Sequence, residues 1–174
     1  MRVLAAWGVA MLIEAAPTAG SILRTDQVGF DGLGAVKIGM TPEQAEMAAG
    51  ISLELNNNAG SGDCFSAQPD RPSRGISFLG TGGVIARADV HGNSRIATPE
   101  GIRIGAAERA VKRAYPGRIK VERHTYVRRG HYLIARSSDP ALSDRRIVFE
   151  TDGRRVTSIR AGRMPEVEYV EGCA

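Results

Sequence analysis

The feature that most limits what this chain can fold into is an internal echo. The stretch IRIGAAERAVKRAYPG, from Ile102, follows VKIGMTPEQAEMAAG, from Val36, at an offset of 66 residues, which sets Val36 on Ile102, Lys37 on Arg103, Ile38 on Ile104 and Gly39 on Gly105. In the same register Ala45 and Ala48 fall on Val111 and Ala114. Further on, IVFETDGRRV, from Ile147, follows ISFLGTGGVI, from Ile76, at an offset of 71, pairing Phe78 with Phe149, Gly82 with Gly153 and Ile85 with Val156. Either match alone is a cheap pattern, but the same order in both halves predicts a duplication. A unit of about 70 residues is longer than the periods of 20 to 50 that build solenoids. The expectation is therefore two tandem copies of a small α+β unit, covering roughly 33–90 and 99–162, in one compact domain over 20–174 with a C-terminal tail.

Each unit can be outlined from its residues. Thr41 is placed as a helix N-cap, with Pro42 in the first helical position and Gln44 three residues after the cap, the arrangement of a capping box. Met40 and Ala45 sit where a hydrophobic staple would form. Gly50 ends this helix after about two turns, and a helix so short is marginal alone because nucleation outweighs the few bonds gained. It must dock on something. The second helix has a weaker cap, but Ala107, Ala110, Val111 and Ala114 make a core-facing stripe, Arg109, Lys112 and Arg113 lie on the other face, and Pro116 and Gly117 end it.

What the helices dock on reads as a sheet. Ile119 and Val121 alternate with Lys120 and Glu122, HYLIAR follows an Arg-Arg-Gly turn, and RRIVFE and RRVTSIR flank Asp152 and Gly153, a strong hairpin signal. The prediction is a short helix packed on an antiparallel meander, done twice, in an α+β fold. The composition of the 174 residues, 43% hydrophobic and 24% charged, is that of an ordinary globular chain. Aromatics make up only 5%, so Val, Ile, Leu and Ala must fill the core.

Residues 1–19 have the layout of a secretory signal peptide: Arg2, an apolar run from Val3 to Ile13, then small residues. That run is too short to span a bilayer as a fixed helix, and no later segment is long enough, so integral membrane anchoring is not expected. Two cysteines, Cys64 and Cys173, fit an exported domain closed by one disulfide. The place expected for the protein is periplasmic or secreted.

Charge divides unevenly along the chain. Residues 1–99 hold 7 Lys plus Arg against 9 acids, whereas 100–174 hold 16 against 10. Arg128 with Arg129, Arg145 with Arg146, and Arg154 with Arg155 fall at predicted turns and strand ends, where they are candidate binding residues for a protein or an anionic envelope component. A nucleic-acid partner is not expected of an exported chain without a recognition motif.

Catalytic and cofactor signals are weak. His91, His124 and His131 show no metal-ligand spacing, and His124 alternates onto the polar side of its strand as an exposed sheet histidine. GTGG, from Gly80, and NNNAGSGDC, from Asn56, lack the lysine and helix of a phosphate loop. Ser61 and Ser66 show no nucleophile elbow, and Cys64 is a candidate nucleophile only if unpaired. No catalytic residue, metal or cofactor is assigned.

The repeated turn KIGMT, Lys37 to Thr41, ahead of a helix and strands, resembles the opening of the repeats in β-lactamase-inhibitory proteins and in small outer-membrane-assembly lipoproteins. The closing FETDGRRVTSIRAGRMPEVEYVEGC is also similar to the tails of bacterial secreted proteins. The resemblance implies an extracytoplasmic protein that binds others through an exposed sheet face and loops. No cysteine precedes Cys64, so the lipid modification of the lipoproteins has no acceptor, and aromatic contact residues are few beyond Phe65, Tyr115, Tyr126, Tyr132 and Tyr169. Inhibition of a β-lactamase does not carry over. The expected function is a non-enzymatic binding module, with a structural envelope protein and a histidine-dependent hydrolase as alternatives.

Overall fold

The computed structural model describes residues 26–57, 63–70 and 75–173. The leader expected over 1–19 lies outside them. Three two-residue strands, β1 (Val28–Gly29), β2 (Gly32–Leu33) and β3 (Val36–Lys37), form a small antiparallel sheet that leads into helix α1 (Pro42–Ala49). Four strands follow: β4 (Leu53–Asn57), β5 (Phe65–Pro69), β6 (Ile76–Thr81) and β7 (Val84–His91). Helix α2 (Glu108–Ala114) then precedes β8 (Ile119–Arg123), β9 (His131–Arg136), β10 (Arg145–Thr151) and β11 (Val156–Arg163). A 3-10 turn, Pro140–Leu142, lies between β9 and β10, and another, Glu166–Glu168, follows β11.

All eight longer strands share one antiparallel sheet in the order β4-β5-β6-β7-β11-β10-β9-β8. Each run of four is a meander, and the two runs join through their last strands, β7 and β11. The architecture is α+β, mostly antiparallel sheet with two short helices.

The local signals for the helices are met. Thr41 accepts from the Gln44 N–H and the Gln44 side chain accepts from the Thr41 N–H at 3.0 Å, closing the capping box, and Gly50 ends α1 at φ 63. Ala107, at the N-cap of α2, has no side chain to offer its helix.

Matching turn hydrogen bonds occur in the two halves. The Gly39 N–H donates to Ile85 O and the Ile85 N–H to Met40 O, both at 2.8 Å; the Gly105 N–H donates to Val156 O at 2.8 Å and the Val156 N–H to Ala106 O at 2.9 Å. Gly39 and Gly105 make this turn at φ 98 and 89, a region closed to most side chains. The register also matches: Leu53 opposite Pro69 corresponds to Ile119 opposite Ala135, and Phe78 opposite Ala88 to Phe149 opposite Ile159. Both hairpins slip register at the same place, between Leu79 and Gly80 and between Glu150 and Thr151.

One face of the large sheet carries the core. Phe78, Val90, Ile147, Phe149 and Ile159 point there with Ala45 and Ala49 of α1 and Val111 of α2, all buried in one cluster that also takes in Val28, Leu33 and Val36. Tyr115, at the end of α2, is fully buried, with its ring 5.6 Å from Phe149 and its hydroxyl donating to Glu100 Oε2 at 2.5 Å. Val121 points to the same side but stays 46% exposed, because β8 is an edge strand.

Candidate functional site

Alternation sends the other half of each strand to the opposite, outer face, and there charged residues stand beside apolar ones. Arg87 and Asp89 on β7, Arg160 on β11 and Glu150 on β10 form a ladder: Arg87 Nε to Asp89 Oδ2 is 3.0 Å and Arg160 Nη2 to Glu150 Oε1 is 2.9 Å. The Arg160 guanidinium also lies 5.6 Å from the Tyr132 ring centre. Burial pushes the Asp89 carboxyl up, against the pull of Arg87. Burial likewise pushes the Arg160 guanidinium down, opposed by Glu150.

These charges are out of water because the chain covers them with its own tail. After β11 the segment 164–173 runs across the outer face. The carbonyl oxygen of Tyr169 accepts from Arg87 Nη1 and from Arg160 Nη1, each at 2.7 Å, and the Glu166 carbonyl accepts from Arg87 Nη1 at 3.1 Å. The Glu166 carboxylate accepts from Thr81 Oγ1 at 2.5 Å and from Arg163 Nη2 at 2.9 Å. Burial alone would raise this carboxyl; the Thr81 hydroxyl and the Arg163 guanidinium together hold it below its usual value. Val167 is fully buried beside Tyr132, Ile134 and Val148. Cys173 then closes a disulfide to Cys64, as the even cysteine count predicted, with a sequence separation of 109. A thiol nucleophile at Cys64 is thereby removed.

Beside this segment lies an open groove of about 700 Å³, bounded by Asp63, Cys64 and Thr81 on the β5–β6 side and by Thr125 and Tyr126 on the other. Tyr126 is 65% exposed, and Tyr169 and Val170 are partly exposed next to it. The Tyr126 hydroxyl donates to the Glu171 carboxylate. Of the aromatics noted in the sequence, Phe65, Tyr115 and Tyr132 are buried and only Tyr126 and Tyr169 are presented.

The six candidate arginines separate into four and two. Arg128 and Arg129 lie in the β8–β9 turn and Arg154 and Arg155 in the β10–β11 turn, at one end of the sheet. The turns touch: a Cβ added to Gly153 would come 2.1 Å from the Arg129 carbonyl oxygen. Each turn is fixed locally. Asp152 Oδ1 accepts from the Arg154 and Arg155 N–H groups, both at 2.8 Å, which together with nearby Arg154 holds its carboxyl below the usual range. His124 Nδ1 accepts from the Tyr126 and Val127 N–H groups at 3.1 and 3.2 Å. Arg155 Nη1 donates to Gly105 O at 2.7 Å, so part of its capacity is used within the fold.

Arg145 and Arg146 stand at the opposite end of β10, where Arg145 pairs in register with Arg163. Arg146 donates to Ser143 O at 2.8 Å, and Arg145 Nε lies 3.3 Å from Asp144 Oδ1, a charge contact without hydrogen-bond direction. A meander puts successive turns at opposite ends, which separates this pair from the other four.

The histidines differ from expectation in one case. His124 is on the outer face, as alternation requires, but its side chain is only 10% exposed, stacked on Tyr132 with ring centres 4.5 Å apart. Because its Nδ1 accepts two backbone N–H bonds, its proton belongs on Nε2. His131 Nδ1 is 2.8 Å from Glu108 Oε1, which also accepts from Thr151 Oγ1 at 2.5 Å. Burial alone would raise the Glu108 carboxyl, but these two partners hold it low. Among the described residues no hydroxyl is bonded to the His131 Nε2, no cluster of His, Cys, Asp and Glu could hold a metal, and no helix is long and apolar enough to cross a membrane.

No family model matches the chain, and no curated protein matches it. Among solved structures, an extracellular protein containing an SCP domain from Bacillus anthracis is similar at 13% identity and a TM-score of 0.34, over 90% of this chain. The chain spans 50% of the length of that protein. A likeness this low carries no argument on fold or function.

Proposed function

We propose that this is an exported, non-enzymatic binding module made of two copies of one helix-and-meander unit, and that it engages a protein or an anionic cell-envelope component through the Arg-rich turns of its second half, the sheet face expected to take part being covered by residues 164–173 while the disulfide is closed. The matching hydrogen bonds at Gly39 and Gly105, the matching registers and the shared slip in both hairpins support the duplication. The Cys64–Cys173 disulfide supports an oxidising compartment, periplasmic or secreted.

The observation that carries the reading is the group of Arg128, Arg129 and Arg154 on two touching, locally fixed turns. Among the described residues none of the three forms an ion pair. Cations held on a fixed backbone without intramolecular partners are available to an anionic surface and strengthen association in a salt-dependent way.

The test is retention of the purified protein on cell-envelope fractions over a salt series. Changing Arg128, Arg129 and Arg154 to Gln should abolish most low-salt retention, while Arg145→Gln with Arg146→Gln at the other end should leave it intact. Retention unchanged by the first set, or lowered equally by both, would sink the assignment.

A further inference from the structure

We propose that the outer face of β6, β7, β10 and β11 is a binding site for a peptide segment of acidic and apolar character, and that residues 164–173, with the 3-10 turn Glu166–Glu168 at their centre, occupy it as a latched internal ligand. The proposal rests on the binding-module reading and names a ligand class for the sheet face.

The covering segment is held as a ligand is held. Among the described residues it pairs with no strand; its own backbone bonds are Glu168 N to Pro165 O and Tyr169 N to Glu166 O, with Met164 N donating to Asp144 O. The sheet grips it instead by its main chain, through guanidinium groups from two neighbouring strands that converge on the Tyr169 carbonyl. Such bonds do not read sequence. Sequence is read at two points, the Glu166 carboxylate between Arg163 and Thr81 and the Val167 side chain in its apolar well.

Charge selects the ligand. Arg87 and Arg160 each pair with a sheet acid, Asp89 and Glu150, whereas the carboxylate that pairs with Arg163 is Glu166 of the tail. The fit of the tail is incomplete. Arg160 and Glu166 are 5% and 6% exposed, yet among the described residues Arg160 Nε and Glu166 Oε2 have no hydrogen-bond partner. Buried polar atoms are nearly always paired in a permanent core. A segment placing an acceptor at Arg160 Nε would satisfy the face better than the tail does, and the adjoining groove gives it a way in.

The disulfide decides who occupies the face. Tied through Arg163 at one end and Cys173 at the other, the tail excludes an external segment. With one end freed it still competes at an effective concentration on the order of mM, so a test must also remove its plug. The probe is a fluorescein-labelled peptide of residues 163–172, followed by anisotropy. The protein is the full chain carrying Cys64→Ser, Cys173→Ser and Val167→Asp, compared with the oxidised native chain.

Saturable binding to the variant, at least tenfold tighter than to the native chain, is expected. It should fall tenfold or more when the peptide carries Glu166→Gln and Val167→Ala. A variant that melts cooperatively yet does not bind, or binds both peptides equally, overturns the proposal. If the variant does not fold, the native chain is incubated in a glutathione redox buffer with a peptide of residues 163–173. The peptide thiolate attacks the Cys64–Cys173 bond, forms a disulfide with Cys64 and releases the Cys173 thiol, which intact mass reads as an adduct. Several-fold more adduct than with the doubly substituted peptide supports the site; equal amounts overturn it. Neither result touches the β8–β9 and β10–β11 turns, so envelope retention stands or falls separately.

Discussion

The first and second halves of the sheet match in strand register and differ in how their helices are anchored. In the first, α1 is secured locally by the Thr41 and Gln44 box, and Glu46 reaches forward to accept from the Leu53 N–H at 2.7 Å. In the second, Ala107 offers no cap, and the start of α2 is tied to the neighbouring hairpin: the Glu108 N–H donates to Arg154 O and Arg155 to Gly105 O. A short helix is secured by local bonding in one half and by tertiary bonding in the other. The second arrangement draws arginines and Glu108 into one place, and that is where the cationic turns are.

The largest effect expected tests the disulfide that ties the tail to the first half. Replacing Cys64 and Cys173 by Ser should lower stability by about 4 to 5 kcal/mol in the chain-entropy picture of a loop this long, read by urea unfolding. A loss under about 1 kcal/mol would mean the tail adds little closure. Next, Phe78→Ala and Phe149→Ala remove equivalent rings from one core, and each should cost about 3 to 5 kcal/mol. A difference between them much above about 1 kcal/mol would break the equivalence of the halves.

Glu166→Gln should cost about 1 to 3 kcal/mol near neutral pH, since it leaves Arg163 without its carboxylate. The Glu166 carboxyl is held below its usual value of 4.5, so its contribution is full above that pH and is lost as pH falls through the folded value. The melting difference between native and Gln chains should therefore close in acid; a difference constant with pH would remove the charge from the account. Thr41→Ala should cost about 1 kcal/mol by loss of the cap. Arg155→Gln should be smallest, roughly 0.5 kcal/mol, because its bond to Gly105 is exposed.

Much of this fold was legible because its signals are local. The capping box, the glycine after α1, the alternation in β8 and the Asp152 turn each act within a few residues, and the offsets of 66 and 71 carried one half onto the other. The change of offset falls where the 3-10 turn Pro140–Leu142 lengthens the second half. The site was less legible. Arg-Arg pairs at turns could be read, but which end of the sheet each turn occupies depends on the pairing order. Arg87, Arg160 and Glu166 were missed because single charges in strands look like ordinary polar-face residues. The one available signal was that Arg87 and Asp89 alternate with Ala88 and Val90 on a strand buried on both sides.

The sequence by itself determined the α+β elements, the two-fold echo, and the pairing of its two cysteines, since each follows from residue types at short spacing or from a count. Only the tertiary structure decided that the two meanders meet at β7 and β11, that the outer face is a buried charge ladder, and that the tail lies across it. Those depend above all on contacts between residues far apart in the chain, such as Ile159 with Val90 and Arg87 with Tyr169. Such contacts exist only once the sheet has brought distant strands together, and no local preference encodes them.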